Sequence, residues 1–236
     1  MTRMNTYVCV DLETTGLNPK TDRIIEIGAV KIIDGVRAGE YSRLVNPGRK
    51  LSEHVTELTG IRDEDLTAAE SLDAVLAEFL EFAGELPLLG HSVLFDYSFL
   101  KKACVDRKLP YERTAVDTLK IARKYLQELP SRSLGALCSH YRIDHTAHRA
   151  LGDAIATVSL YEHLTEQFDD GEDKLFLPEQ QIFKVKRDQP IRPEQKERLQ
   201  KLTEKHHIEL ETELDAMSRS EASRLIDKIY NKYGRI

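Results

Sequence analysis

Tyr7-Val8-Cys9-Val10-Asp11-Leu12-Glu13-Thr14-Thr15-Gly16 begins as a β-strand and ends as a turn. Its first half is apolar and β-branched, and Thr-Thr-Gly supplies the break. Side chains alternate faces along a strand, so Asp11 and Glu13 point the same way while Leu12 enters the opposite layer. Two neighbouring carboxylates repel each other, and a divalent cation between them relieves that repulsion. The stretch therefore reads as one half of a metal site at a strand's end.

Outward from it, residues 23–33 form a second strand, Asp34-Gly35 is a two-residue hairpin turn, and Glu40 to Val45 is the third strand. Ser52 caps a short helix to Leu58, and the spacing of Leu72, Val75, Leu76, Phe79 and Leu80 predicts a helix over 71–83. Leu86 to His91 and Thr114 to Asp117 are brief apolar runs of the buried parallel kind, with a helix from Phe95 to Asp106 between them. Helices follow over 118–128, 133–140 and about 149–167. A three-strand meander leading into strand and helix alternation is an α/β fold with one mixed sheet.

Beyond this first domain, 1–168, the period is lost over 169–192, where acids, Gly171, Pro178 and Pro190 suggest a linker. Residues 193–236 form a helical carboxyl-terminal module. Ser218 and Glu221 match a capping box, and Ala222, Leu225, Ile226 and Ile229 form an apolar stripe. The net charge of -6 is uneven: residues 1–183 hold 21 basic and 30 acidic side chains, and residues 184–236 hold 13 and 10. An acidic chain can still serve a phosphate substrate when bound cations reverse the local sign. No run is long enough to span a membrane and no signal-peptide core is visible, so a cytoplasmic protein is expected. Cys9, Cys104 and Cys138 lack any C-x-x-C spacing and read as reduced core residues.

Three further positions stand at element boundaries: Asp96 at the start of a helix after an apolar strand, and His148 and Asp153 at the start of the first domain's last helix. Each alone has an ordinary explanation, Asp96 as a helix cap and Asp153 or His148 as solvated residues. His140, His145 and His148 have no i, i+4 pair and no cysteine to make a zinc site.

Taken in order, Asp11-x-Glu13-Thr14-Thr15-Gly16, His91-x-x-x-Phe95-Asp96 and His148-x-x-x-x-Asp153 resemble the motifs of the DEDDh branch of the DEDD exonucleases, the DnaQ-like family of proofreading exonucleases. The resemblance covers roughly residues 5–168. It implies an RNase H-like five-stranded mixed sheet flanked by helices and 3′ to 5′ hydrolysis of DNA to nucleoside monophosphates, as in replication proofreading or repair. Two Mg2+ (or Mn2+) ions about 3.5 to 4 Å apart would activate water and stabilise the leaving oxygen. By the same resemblance, Asp11, Glu13 and Asp153 hold the water-activating ion. Asp11 bridges to the second, where Asp96 assists, and His148 is the general base. Thr14, Thr15, Leu17, His91 and Phe95 are the implied substrate contacts, although His91 on its own reads as structural. The expected partners are DNA 3′ ends, with a DNA polymerase docking on residues 193–236. The alternatives are an exoribonuclease trimming RNA 3′ ends and a non-catalytic polymerase-associated subunit. The family often has Asn after the motif histidine, where this chain has Ser92.

Overall fold

The computed structural model describes residues 3–145, 149–210 and 212–234. The strands are β1 (Tyr7–Thr14), β2 (Ile24–Ile33), β3 (Val36–Asn46), β4 (Glu70–Ser71), β5 (Leu88–Gly90), β6 (Thr114–Asp117) and β7 (Glu179–Gln180). They form one mixed sheet in the order β4-β3-β2-β1-β5-β6-β7. β1, β2 and β3 pair antiparallel, whereas β5 and β6 run parallel to β1.

The five strands expected from the sequence are the middle of this sheet. Two strands of two residues each widen it at the edges. Such pairs carry no hydrophobic period and are invisible to pattern reading. The third strand also starts earlier than expected, at Val36, because Asp34 and Gly35 both adopt positive φ (50° and 79°) and turn the chain directly back.

Helices α1 (Glu53–Thr59) and α2 (Asp63–Thr67) cover the end of β3, followed by α3 (Leu72–Ala83), α4 (Leu94–Asp106), α5 (Thr118–Tyr125), α6 (Leu134–Tyr141) and α7 (Ala150–Phe168). The parity of β1 sorts these into two layers. Val8, Val10 and Leu12 pack with Val75, Phe79 and Tyr97 of α3 and α4, while Tyr7 and Cys9 pack with Ile121, Ala154 and Tyr161 of α5 and α7. Cys9, Cys104 and Cys138 are buried free thiols. No described helix is long and apolar enough to cross a membrane.

The segment expected to be a plain linker is strapped to the first domain. Phe176 is buried in the second core, β7 pairs with β6, and Asp188 accepts a bond from Lys102 at 2.9 Å. Beyond it, α8 (Pro193–His206) and α9 (Arg219–Tyr233) share a small core of Leu199, Leu202, Met217, Ala222, Ile226 and Ile229. Ser218 caps α9 in a capping box with Glu221, as its sequence predicts.

Candidate active site

β1 is long enough to outrun its neighbour. It pairs with β5 only at Val8 and Cys9, so the backbone beyond has a free edge on that side. Asp11 and Glu13 lie on this projecting part. Their parity matches Tyr7 and Cys9, which places them on the face covered by α7. Asp153, one turn into α7, meets them there. Ligating oxygens of Asp11, Glu13 and Asp153 all lie within 4.8 Å of one another.

Asp96 comes from the opposite layer. It sits in the first turn of α4, not at its cap, and reaches past the free edge of β1 to accept the Leu12 N–H at 3.0 Å. That bond ties Asp96 between the two strand acids. The four carboxylates named by the motifs thus converge from β1, α4 and α7.

Burial and mutual repulsion raise the cost of ionising these carboxyls together. Burial, then Asp96, Asp153 and Glu13, holds the Asp11 carboxyl well above its ordinary range. Burial first, with Asp153 and Glu26 adding to it, pushes Glu13 up to about 7. Asp96 is raised mainly by burial, against the opposing bonds from backbone N–H groups. Oxygen ligands at this density, with no thiol among them, suit a hard divalent cation.

Several residues that support the site have no motif. In the β1–β2 register Glu13 stands opposite Glu26, a like-charge pair on adjacent strands. Glu26, 1% exposed, is satisfied from the other side: Arg149 Nη2 donates at 3.0 Å and the Ala150 N–H at 3.2 Å. Two residues on, Gly28 receives the start of α7 so closely that a Cβ there would lie 2.1 Å from the Ala150 carbonyl carbon. Glu26 and Gly28 therefore seat the helix that carries Asp153. The spacing alone hid this, since Glu-x-Gly inside a buried strand has no signature without its partner helix.

His145 is a second unanticipated neighbour. Its Nε2 lies 2.5 Å from Asp153 Oδ1, and the Arg149 N–H donates to the other oxygen at 3.2 Å. The sequence groups this histidine only with a dismissed zinc cluster. His148, expected as the general base, lies outside the described residues.

The substrate-contact residues divide. Thr14 Oγ donates to the Gly16 carbonyl at 2.7 Å, and Thr15 brackets Arg23 with two bonds, which closes the loop after β1. Leu17 at its tip is 84% exposed, an apolar side chain beside an acidic cluster. Phe95 is half-buried, with its ring 5.0 Å from that of Phe99. His91 fits the structural reading of its sequence position. Its Nε2 donates to the Arg132 carbonyl and its Nδ1 is hydrogen-bonded with Thr118 Oγ, both at 2.9 Å. Burial lowers its pKa, and with both nitrogens occupied it holds the scaffold and has none left for a nucleotide. Ser92 takes a φ of 71° while its N–H donates to Asp117, which also caps α5.

The exonuclease family model RNase_T matches residues 8–161. A PolC-type DNA polymerase III from Thermotoga petrophila is 40% identical over 165 residues, 68% of this chain and 12% of that protein. Its counterpart from Clostridium perfringens is 35% identical over 168 residues, 69% and 12%. The chain thus spans about an eighth of the length of these relatives. Among solved structures, Exonuclease X in complex with 5′ overhanging duplex DNA superposes with a TM-score of 0.57 at 24% identity, covering 71% of this chain and 94% of that one. Escherichia coli Exonuclease I in complex with a dT13 oligonucleotide gives 0.61 at 20%, covering 69% and 41%. The nuclease domain of 3′hExo bound to rAMP gives 0.59 at 19%, covering 69% and 92%. These structures share the fold.

Proposed function

Because the chain belongs to the RNase_T exonuclease family, we propose that it removes nucleoside monophosphates one at a time from the 3′ end of DNA. The observation that carries this reading is the convergence of Asp11, Glu13 and Asp153 within 4.8 Å, with Asp96 bonded to the strand between the first two. Asp11, Glu13 and Asp153 would hold one divalent cation, and Asp11 with Asp96 a second. A bound Mg2+ or Mn2+ pair would activate water and offset charge on the phosphate and the leaving 3′ oxygen.

The chain's own residues do the rest. Thr14 and Thr15 keep the loop after β1 closed beside the acids, and exposed Leu17 offers an apolar surface to the terminal base. Phe95, half-buried at the start of α4, is a second apolar contact for the substrate. His148, five residues before Asp153, takes the proton from the attacking water. A neutral imidazole suits that task because its pKa lies near working pH, whereas carboxylates committed to cations accept protons poorly.

DNA is favoured over RNA because the PolC-type relatives at 35 to 40% identity are DNA polymerases by name, while another relative at 40% identity is named only as a bifunctional exonuclease/endonuclease. A DNA polymerase is the partner proposed for residues 193–236, which lie beyond the family match at 8–161. Competing DNA and RNA oligonucleotides of one sequence decide the sugar, and a binding assay with a polymerase catalytic subunit decides the partner.

The site assignment has a direct test. Asp11→Ala or Asp153→Ala is expected to abolish Mg2+-dependent shortening of an oligonucleotide, and wild-type activity in either variant would remove that residue from the ligand set. His148→Ala is expected to slow the single-turnover step by about 100-fold or more with oligonucleotide affinity retained. An unchanged rate in that variant, with a slowed one in His145→Ala, would transfer the role of base to His145.

A further inference from the structure

The carboxyl-terminal helices are bolted to the loop that follows the first motif. Glu221 Oε1 accepts from Arg23 Nη2 at 2.7 Å and from Arg49 Nη2 at 2.8 Å. Arg23 is the residue whose backbone is bracketed by Thr15. Arg49 also donates to the Thr21 carbonyl at 3.2 Å and forms a bridge with Thr212. Glu221 is largely buried, with 15% of its side chain exposed. Burial raises its pKa, but the bonds from Ser218 and the two guanidinium groups outweigh it and leave the carboxyl below its usual range. α9 is therefore held in a fixed position against the loop presenting Thr14, Thr15 and Leu17.

What α9 shows to solvent from that position is basic. Arg224, Lys228 and Lys232 recur every four residues, stand on one face, and are all exposed. None of the three has a carboxylate partner among the described residues. The row borders a groove of about 450 Å3 that Arg49 also lines, and its floor is apolar: Ile208, Leu210, Leu225 and Ile229. At its far end the Tyr233 ring is 44% exposed and stacks on His206. Among the described residues, Glu209 is the other acid lining the groove, since Glu221 is spent on the two arginines.

We propose that this groove is a track for single-stranded nucleic acid, its Arg224, Lys228 and Lys232 row contacting phosphates of the strand upstream of the 3′ end. The inference rests on the exonuclease reading for its direction and extends the binding surface well beyond the reacting bond. The match is chemical. Unpaired strands present a line of phosphates beside apolar base faces, and cations above an apolar, ring-bearing floor offer both counterparts. A duplex would not expose its bases to that floor.

The test separates the track from the chemistry by measuring binding without turnover. Fluorescence anisotropy of 5′-labelled dT20 and dT4 is recorded in EDTA for the full chain, for Arg224→Glu/Lys228→Glu/Lys232→Glu, and for the milder Lys228→Ala/Lys232→Ala. The triple variant is expected to bind dT20 at least 10-fold more weakly while its dT4 affinity changes less than 2-fold. Each phosphate contact contributes about 0.7 to the salt slope for single strands, so the slope for dT20 should fall by about 2. The double variant should lie between, which guards against misfolding in the triple. Wild-type dT20 binding in both variants, or equal loss on dT20 and dT4, would overturn the track. Wild-type binding combined with capture of a polymerase would reassign the face to protein docking. If the wild-type chain binds dT20 yet never shortens it in Mg2+ or Mn2+, the exonuclease reading fails and the track stands.

Discussion

Single residues at this site are set by what they must neutralise. Asp11, Glu13 and Asp96 all have carboxyls held above their ordinary range, chiefly by burial. A carboxyl raised in the folded state stabilises the metal-free protein below its unfolded pKa, and that contribution disappears as pH rises through the folded value. For Glu13 the window runs from 4.5 to about 7. The melting temperature of EDTA-treated protein should therefore fall across this window, and Mg2+ should restore it by an amount that grows with pH. In Glu13→Gln the fall should shrink; an equal fall in that variant would show that Glu13 is not the group titrating. Ser92 makes a second residue-scale case. Its φ of 71° is a left-handed conformation that asparagine adopts more easily than serine. Ser92→Asn should stabilise the fold by about 0.5 kcal/mol in urea denaturation, read as a higher midpoint at constant slope.

Among the elements, α7 and β2 bear most directly on the site. Asp153 is useful only if the first turn of α7 rests at the right height above β1, and that height is fixed by Gly28 under the helix and by Glu26 gripping Arg149 and Ala150. Gly28→Ala would force the backbones apart, because the added carbon meets main chain and not a flexible side chain. We expect a loss of about 3 kcal/mol in stability. Displacement of Asp153 should also weaken metal binding, measurable by Mn2+ titration calorimetry. Unchanged stability and affinity would mean that α7 can shift at little cost.

For the whole molecule, the uneven charge is the organising fact. Acids gather in the first domain, and the excess of basic residues follows residue 183. The Arg23–Glu221–Arg49 contact joins the two parts beside the loop after β1. Truncation after Pro190 keeps the Lys102–Asp188 pair while removing α8 and α9. It should raise KM for a long single strand more than it lowers kcat. Equal effects on both would assign the module to supporting the loop and not to holding substrate.

Local sequence pattern alone specified an α/β fold with one mixed sheet and helices on its faces, the strand-end placement of Asp11 and Glu13, and the capping of α9. These rest on local periodicity, face alternation and turn chemistry, which a few neighbouring residues suffice to specify. The resemblance of three ordered motifs pointed to Asp96 and Asp153 before any distance was known. The folded structure was needed to show that Asp96 reaches the acids by bonding to Leu12, because this depends on β5 being too short to cover β1. It also decided that His91 is held by Thr118 and Arg132, that Glu26 and Gly28 seat α7, and that Glu221 joins the carboxyl-terminal helices to the loop after β1. Each is a contact between residues at least 27 positions apart in the chain, Glu26 and Arg149 by 123 and Arg23 and Glu221 by 198. Packing creates such pairs, and no local pattern in the sequence records them.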